Sequence, residues 1–157
     1  MKKFLAVLSL SVLCLFNGLF AYAQENADIE KLECQVIECN TSSSNSSTRT
    51  TTFVDNTISI SYTRADGMYA AITTGMNTTA SVVGAKDIKV QIKNGNDWIT
   101  VATSDGGELY NTTTCILTFS YSGVIEGQTY RVVCTHYGDV DGYRELYHES
   151  SGFKCVY

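Results

Sequence analysis

From Phe53 to the end of the chain, apolar side chains recur at every second position, and no window carries a stripe of helical period. Ile58, Ile60 and Tyr62 alternate with Ser59, Ser61 and Thr63, Met68, Ala70 and Ile72 form a second run, and residues 80–83 a third. Such alternation suits a pleated strand with one face buried, so the chain is expected to be all-β. The clearest turn signal is Asn94-Gly95-Asn96-Asp97. It should fold residues 88–92 back on 98–102, pairing Ile92 with Ile99 and Val90 with Val101, with the lysines and Trp98 opposite the aliphatic face. Gly106-Gly107 is expected to interrupt the next run, after which Cys115, Leu117, Phe119 and Tyr121 place four buryable side chains on one face. Tyr130, Val132 and Cys134 continue on a further strand, and Asp139-Val140-Asp141-Gly142 turns it into residues 143–149. Short strands at this spacing mean a sandwich or a barrel.

The N-terminus has a different composition. Lys2 and Lys3 precede an apolar run at 4–19, and Ala21-Tyr22-Ala23 offers small residues at both cleavage positions, the build of a secretory signal peptide at 1–23. Asn17 and Gly18 interrupt the run, which falls short of the ~20 residues a spanning helix needs, so no transmembrane segment is expected in the mature chain. Cys14 follows Leu13, where a lipid-attachment signal would need a small residue. Removing 23 of 157 residues leaves 134, enough for one domain at 24–157, and takes two lysines with it, moving the formal net charge from −5 to −7. An acidic chain without a basic patch does not suit nucleic acid. Leu32, Cys34 and Val36 alternate with Glu33, Gln35 and Ile37 in a first strand, whereas the Ser/Thr/Asn-rich segment 40–52 has nothing large to bury and is expected to be flexible. Asn40, Asn45, Asn77 and Asn111 stand in glycosylation sequons.

In a secreted, extracellular setting Cys34, Cys39, Cys115, Cys134 and Cys155 are read first as a disulfide framework. Five is odd, so one thiol is left free or links two chains in a disulfide-linked dimer. Only Cys34 and Cys39 lie close in sequence, so no metal site and no cofactor are expected. His136 and His148 are the two conventional bases. A hairpin closed by the turn 139–142 sets His136 opposite Glu145, Cys134 opposite Tyr147 and His148 opposite Val133, which places the histidines on opposite sheet faces and precludes a shared metal site. Cys134 and His136 share a face and invite comparison with a thiol catalytic pair oriented by Glu145; a disulfide cysteine beside a half-buried histidine is the better account. Ser151-Gly152-Phe153-Lys154 lacks the helix that a catalytic Ser-x-x-Lys needs. Asp139 to Gly142 is a fragment of a calcium loop, with Asp105 and Glu108 as further oxygen donors, but Tyr143 and Arg144 do not continue it. With catalysis thin, the exposed face of the last hairpin becomes the candidate working surface: Arg131, Val133, Thr135, Tyr137, Arg144, Leu146 and His148, with Trp98 also facing outward. The expected function is non-catalytic recognition of an extracellular protein or glycan, with a secreted hydrolase or a disulfide-linked structural subunit as the alternatives.

The stretch Gly127-Gln128-Thr129-Tyr130-Arg131-Val132-Val133-Cys134 resembles the E-to-F connection of immunoglobulin-like and fibronectin type III sandwiches. The resemblance implies an antiparallel sandwich of about seven strands in which Tyr130 bonds back to the corner backbone. The lysine-flanked hairpin at 86–98 and the Gly-x-x-Tyr-Arg-Val hairpin at 127–147 are also similar to those of a group of uncharacterised small secreted proteins of Gram-positive bacteria. That likeness covers about half the chain and implies fold alone. Strands assigned by the sandwich resemblance put Cys115 and Cys134 inward from facing sheets, implying a Cys115–Cys134 bridge. Cys155 would then tie down the first strand through Cys34 or Cys39, with Cys39 preferred and Cys34 left as the free thiol.

Overall fold

The computed structural model describes residues 28–37 and 53–156. The signal segment, the Ser/Thr/Asn-rich segment 40–52 and Cys39 lie outside the described residues. The chain is all-β: β1 (Glu30–Lys31), β2 (Gln35–Ile37), β3 (Phe53–Thr63), β4 (Gly67–Asn94), β5 (Asp97–Tyr121), β6 (Thr129–Asp139), β7 (Tyr143–Glu149) and β8 (Phe153–Lys154). Among the described residues no helix is long and apolar enough to cross a membrane.

Two strands organise everything else. β4 has 28 residues and β5 has 25, and they pair antiparallel from Met68↔Tyr121 to Asn94↔Asp97. The ladder skips between Gly75 and Ala80, and there the hairpin passes from one half of the fold to the other. The half beyond the skip, carrying residues 68–75 and 114–121, adds β3 and β2 at its edges. The half nearer the turn, residues 80–94 and 97–112, adds β6 and then β7 on one side and a parallel β1 on the other. The eight strands form one mixed sheet by hydrogen bonding. Its halves face each other, because Thr74 of the first bonds to His136 of the second, and Tyr121 packs on Tyr130 with ring centroids 6.2 Å apart. Between them lie the alternating side chains: Met68, Ala70, Ile72, Cys115, Leu117 and Phe119 from one half, and Val83, Ile88, Val90, Tyr130, Val132 and Cys134 from the other. At roughly 25 cal/mol per Å² of apolar surface, this shared layer supplies the main drive to fold.

Several expectations are corrected. Gly106-Gly107 does not interrupt β5, and the runs at 68–72 and 80–83 belong to one strand. The first strand is split, with β1 and β2 pairing at two separate places on β5 and Leu32 buried between them. Ile92 does pair with Ile99, but the register slips between Val90 and Gln91, so Val90 faces Ala102 rather than Val101. The largest correction is in the last hairpin. Asp139 pairs with Tyr143, leaving a three-residue loop, and every later partner moves by one: His136 faces Leu146 and Cys134 faces His148. The loop closes this way because the Asp139 carboxylate accepts the Gly142 N–H at 3.0 Å, and Gly142 has φ +127°, a conformation L side chains rarely adopt.

Candidate functional site

The shift in the last hairpin redistributes its side chains between two faces. On the outer face, register sets Tyr110, Val82, Asp139 and Tyr143 in one row across β5, β4, β6 and β7; Glu108, Gly84, Tyr137 and Glu145 form the next row, and Gly106, Lys86, Thr135 and Tyr147 the third. Farther along, Gln91 stands beside Arg131, and Lys93 opposite Trp98. Tyr110, Tyr143 and Tyr147 are 64%, 53% and 58% exposed, so this face presents aromatic rings to water.

The polar groups here engage one another. Tyr137 lies across Gly84, where a Cβ would meet its ring, and donates its hydroxyl to Glu108 at 2.6 Å. Tyr110 donates to the same carboxylate. Accepting these bonds holds Glu108 below the usual carboxylate range, with Tyr110 the larger influence, while burial and the Glu108 contact push the Tyr137 hydroxyl up. Lys86 pairs with Glu145 and donates to the Tyr143 hydroxyl. Arg131 donates Nε to Gln91 at 2.8 Å, pairs with Glu149 through Nη1, and covers Trp98 with its guanidinium 4.5 Å from the ring centroid. Lys93 lies 5.8 Å from the same centroid. The result is a plate whose side chains hold one another in place.

Of the residues expected to form a binding surface, Trp98, Arg131 and Tyr137 lie on this face, Arg131 against Trp98 and Tyr137 six positions farther along β6, with Val133 and Thr135 on the same side of the strand. Arg144, Leu146 and His148 do not: they stand opposite Gly138, His136 and Cys134 on the core-facing side of β7. Their places on the plate are taken by Tyr143, Glu145, Tyr147 and Glu149. The signal for this was present in the sequence, since a glycine in the fourth position of a turn begun by aspartate favours a three-residue loop with a bulge.

On the core side the histidines are joined, contrary to the expected opposite faces. His136 is fully buried; its Nδ1 lies 2.7 Å from Thr74 Oγ1 and its Nε2 3.1 Å from His148 Nδ1. Thr74 donates its single hydroxyl hydrogen to the Gly84 carbonyl at 3.0 Å, so it accepts from His136. The network thereby assigns neutral His136 a hydrogen on Nδ1 and a lone pair on Nε2, which accepts from His148. Burial, reinforced by His148, pulls the His136 pKa down to about 4.

Cys134 Sγ is 3.6 Å from His136 Nε2, but burial pushes its thiol up to about 12. A thiol raised so far beside an imidazole lowered so far does not form the thiolate–imidazolium pair of a cysteine nucleophile. Glu145, the supposed orienter, lies on the other face with Lys86. Cys115 and Cys134 are both free thiols in the structure, as are Cys34 and Cys155, so the Cys115–Cys134 bridge is not formed and the room beside Cys134 is filled by His136. The preferred Cys39–Cys155 pairing falls on a residue outside the described ones. Among the described residues no group of three His, Cys, Asp or Glu side chains is placed to hold a metal ion. No family model, curated protein or solved structure matches the chain.

Proposed function

We propose that this chain is an exported, non-catalytic recognition module of immunoglobulin/fibronectin type III-like build, which engages an extracellular glycan or protein through the outer face of its β5-β4-β6-β7 half. The observation that carries the reading is the plate itself: exposed tyrosines of two strands, Tyr110 of β5 and Tyr143 and Tyr147 of β7, share one face with the Trp98–Arg131 stack and with charges already paired to neighbours. Preorganised aromatic and planar polar side chains lower the ordering cost of binding. The sandwich reading is supported by two facing halves ordered β3-β4-β5 and β5-β4-β6-β7, and by Tyr130, whose buried hydroxyl accepts the Ile125 N–H at 2.9 Å as a corner tyrosine would. Export is supported by the basic start and apolar run at 1–23.

The test is a screen of the secreted chain against glycan and extracellular-protein arrays, followed by Tyr110→Ala, Tyr143→Ala and Tyr147→Ala. Each exposed ring should cost about tenfold in affinity or more if it is an anchor, with thermal unfolding unchanged. Captured ligand bound equally well by the triple variant would rule out this face.

A further inference from the structure

We infer that the buried Thr74–His136–His148 chain is a proton-operated latch that holds strand β7 at neutral pH and releases it in acid. This device goes beyond the recognition reading and does not depend on what the outer face binds.

β7 is an edge strand, paired only with β6 among the described strands, and His148 is its single half-buried residue. Its anchorage on the core side therefore runs through His148 Nδ1 to His136 Nε2, and from His136 Nδ1 to Thr74 in the facing half. His148 Nε2 lies outside this chain of bonds. A proton on His136 can enter only at Nε2, where it would confront the His148 Nδ1–H at 3.1 Å. The link then becomes two donors facing each other. Among the described residues no carboxylate contact to His136 offsets this. Cys134, the other titratable group against His136 on β6, stays a neutral thiol; Cys115 on β5 stands beside Thr74 and is also raised by burial. Arg144, the other charged residue on this side of β7, is a cation, while Glu145 and Glu149 face the outer plate with Lys86 and Arg131. Local departure of an edge strand costs less than opening the core, so β7 is the element that yields.

The test uses histidine ¹⁵N shifts and amide exchange of residues 143–149, corrected for intrinsic rates, from pH 7 to pH 3.5. In the native chain His136 should remain the neutral Nδ1–H tautomer until acid is reached. As it titrates, β7 protection should fall by about 100-fold relative to β4. His148→Gln should hold β7 to within about threefold, because the glutamine amide offers His136 Nε2 a donor when it is neutral and an acceptor when it is protonated. Equal loss in both proteins would overturn the latch. So would native β7 amides that keep their protection through the His136 titration, or that lose it only together with β3 to β5; these readings decide the matter even if the variant does not fold.

Discussion

The two long hairpins of this molecule are closed by loops that differ by one residue, and the difference decides which side chains meet. β4 and β5 are joined by Gly95-Asn96 between the paired Asn94 and Asp97; β6 and β7 are joined by three residues between Asp139 and Tyr143. In the first hairpin the short turn keeps Lys93 and Trp98 together on the outer face. In the second the extra residue sends His148 inward to His136 and Tyr147 outward. Side-chain direction alternates with period two, so one residue of loop length exchanges the whole content of two faces.

The sharpest way to break the arrangement is at the seam where the hairpins touch. Gly84 of the first lies beneath Tyr137 of the second, and a β-carbon there would collide with the Gly107 carbonyl oxygen and the tyrosine ring. Gly84→Val should destabilise by about 3 kcal/mol or more, measured by urea unfolding, since part of the obstruction is backbone. Next in size is a pH effect confined to the second hairpin. His136 has its folded pKa near 4, below the ordinary 6.5, so the unfolded chain takes up the proton first. Its contribution to stability is complete above about pH 6.5, declines as the pH falls to 4 and is flat below. The loss should be about 3 kcal/mol, absent in a folded His136→Gln variant. The loops then compare directly, because both Gly95 and Gly142 have positive φ, +60° and +127°, with open space around a hypothetical β-carbon. Gly95→Ala should cost about 1 kcal/mol and Gly142→Ala about 2, as alanine reaches the left-handed region more readily than φ near 127°. Smallest is the Arg131–Trp98 stack that ties the hairpins together on the outer face. A double-mutant cycle to alanine should return about 0.5–1 kcal/mol of coupling.

Much of the fold was legible because burial follows alternation. Met68, Ala70 and Ile72, Cys115 to Tyr121 and Tyr130 to Cys134 lie in the core at every second position, as their spacing requires. Less legible was which glycines end strands. Gly106 and Gly107 look like breakers in sequence but lie within β5, where the absence of a β-carbon lets neighbouring groups approach. The candidate site suffered most, because Arg144, Leu146 and His148 were placed by a hairpin register, and a register one residue off reverses every orientation. The thiols were read through the expected compartment. Four of them sit in the structure as buried or half-buried small apolar groups, a role cysteine also fills.

The passage of β4 and β5 from one half to the other without a break bears on how such a molecule can diversify. At the end where these strands cross over, two connections that would otherwise be loops are carried by β4 and β5 themselves, and β6 and β7 are joined by only Val140-Asp141-Gly142. Insertions in the paired stretches of β4 and β5 on either side would break ladder hydrogen bonds, whereas residues 77–79 pair with neither β3 nor β5 and leave room for them. Change is therefore accommodated by added residues at the skip and, one side chain at a time, on the outer plate, whose outline the paired strands fix.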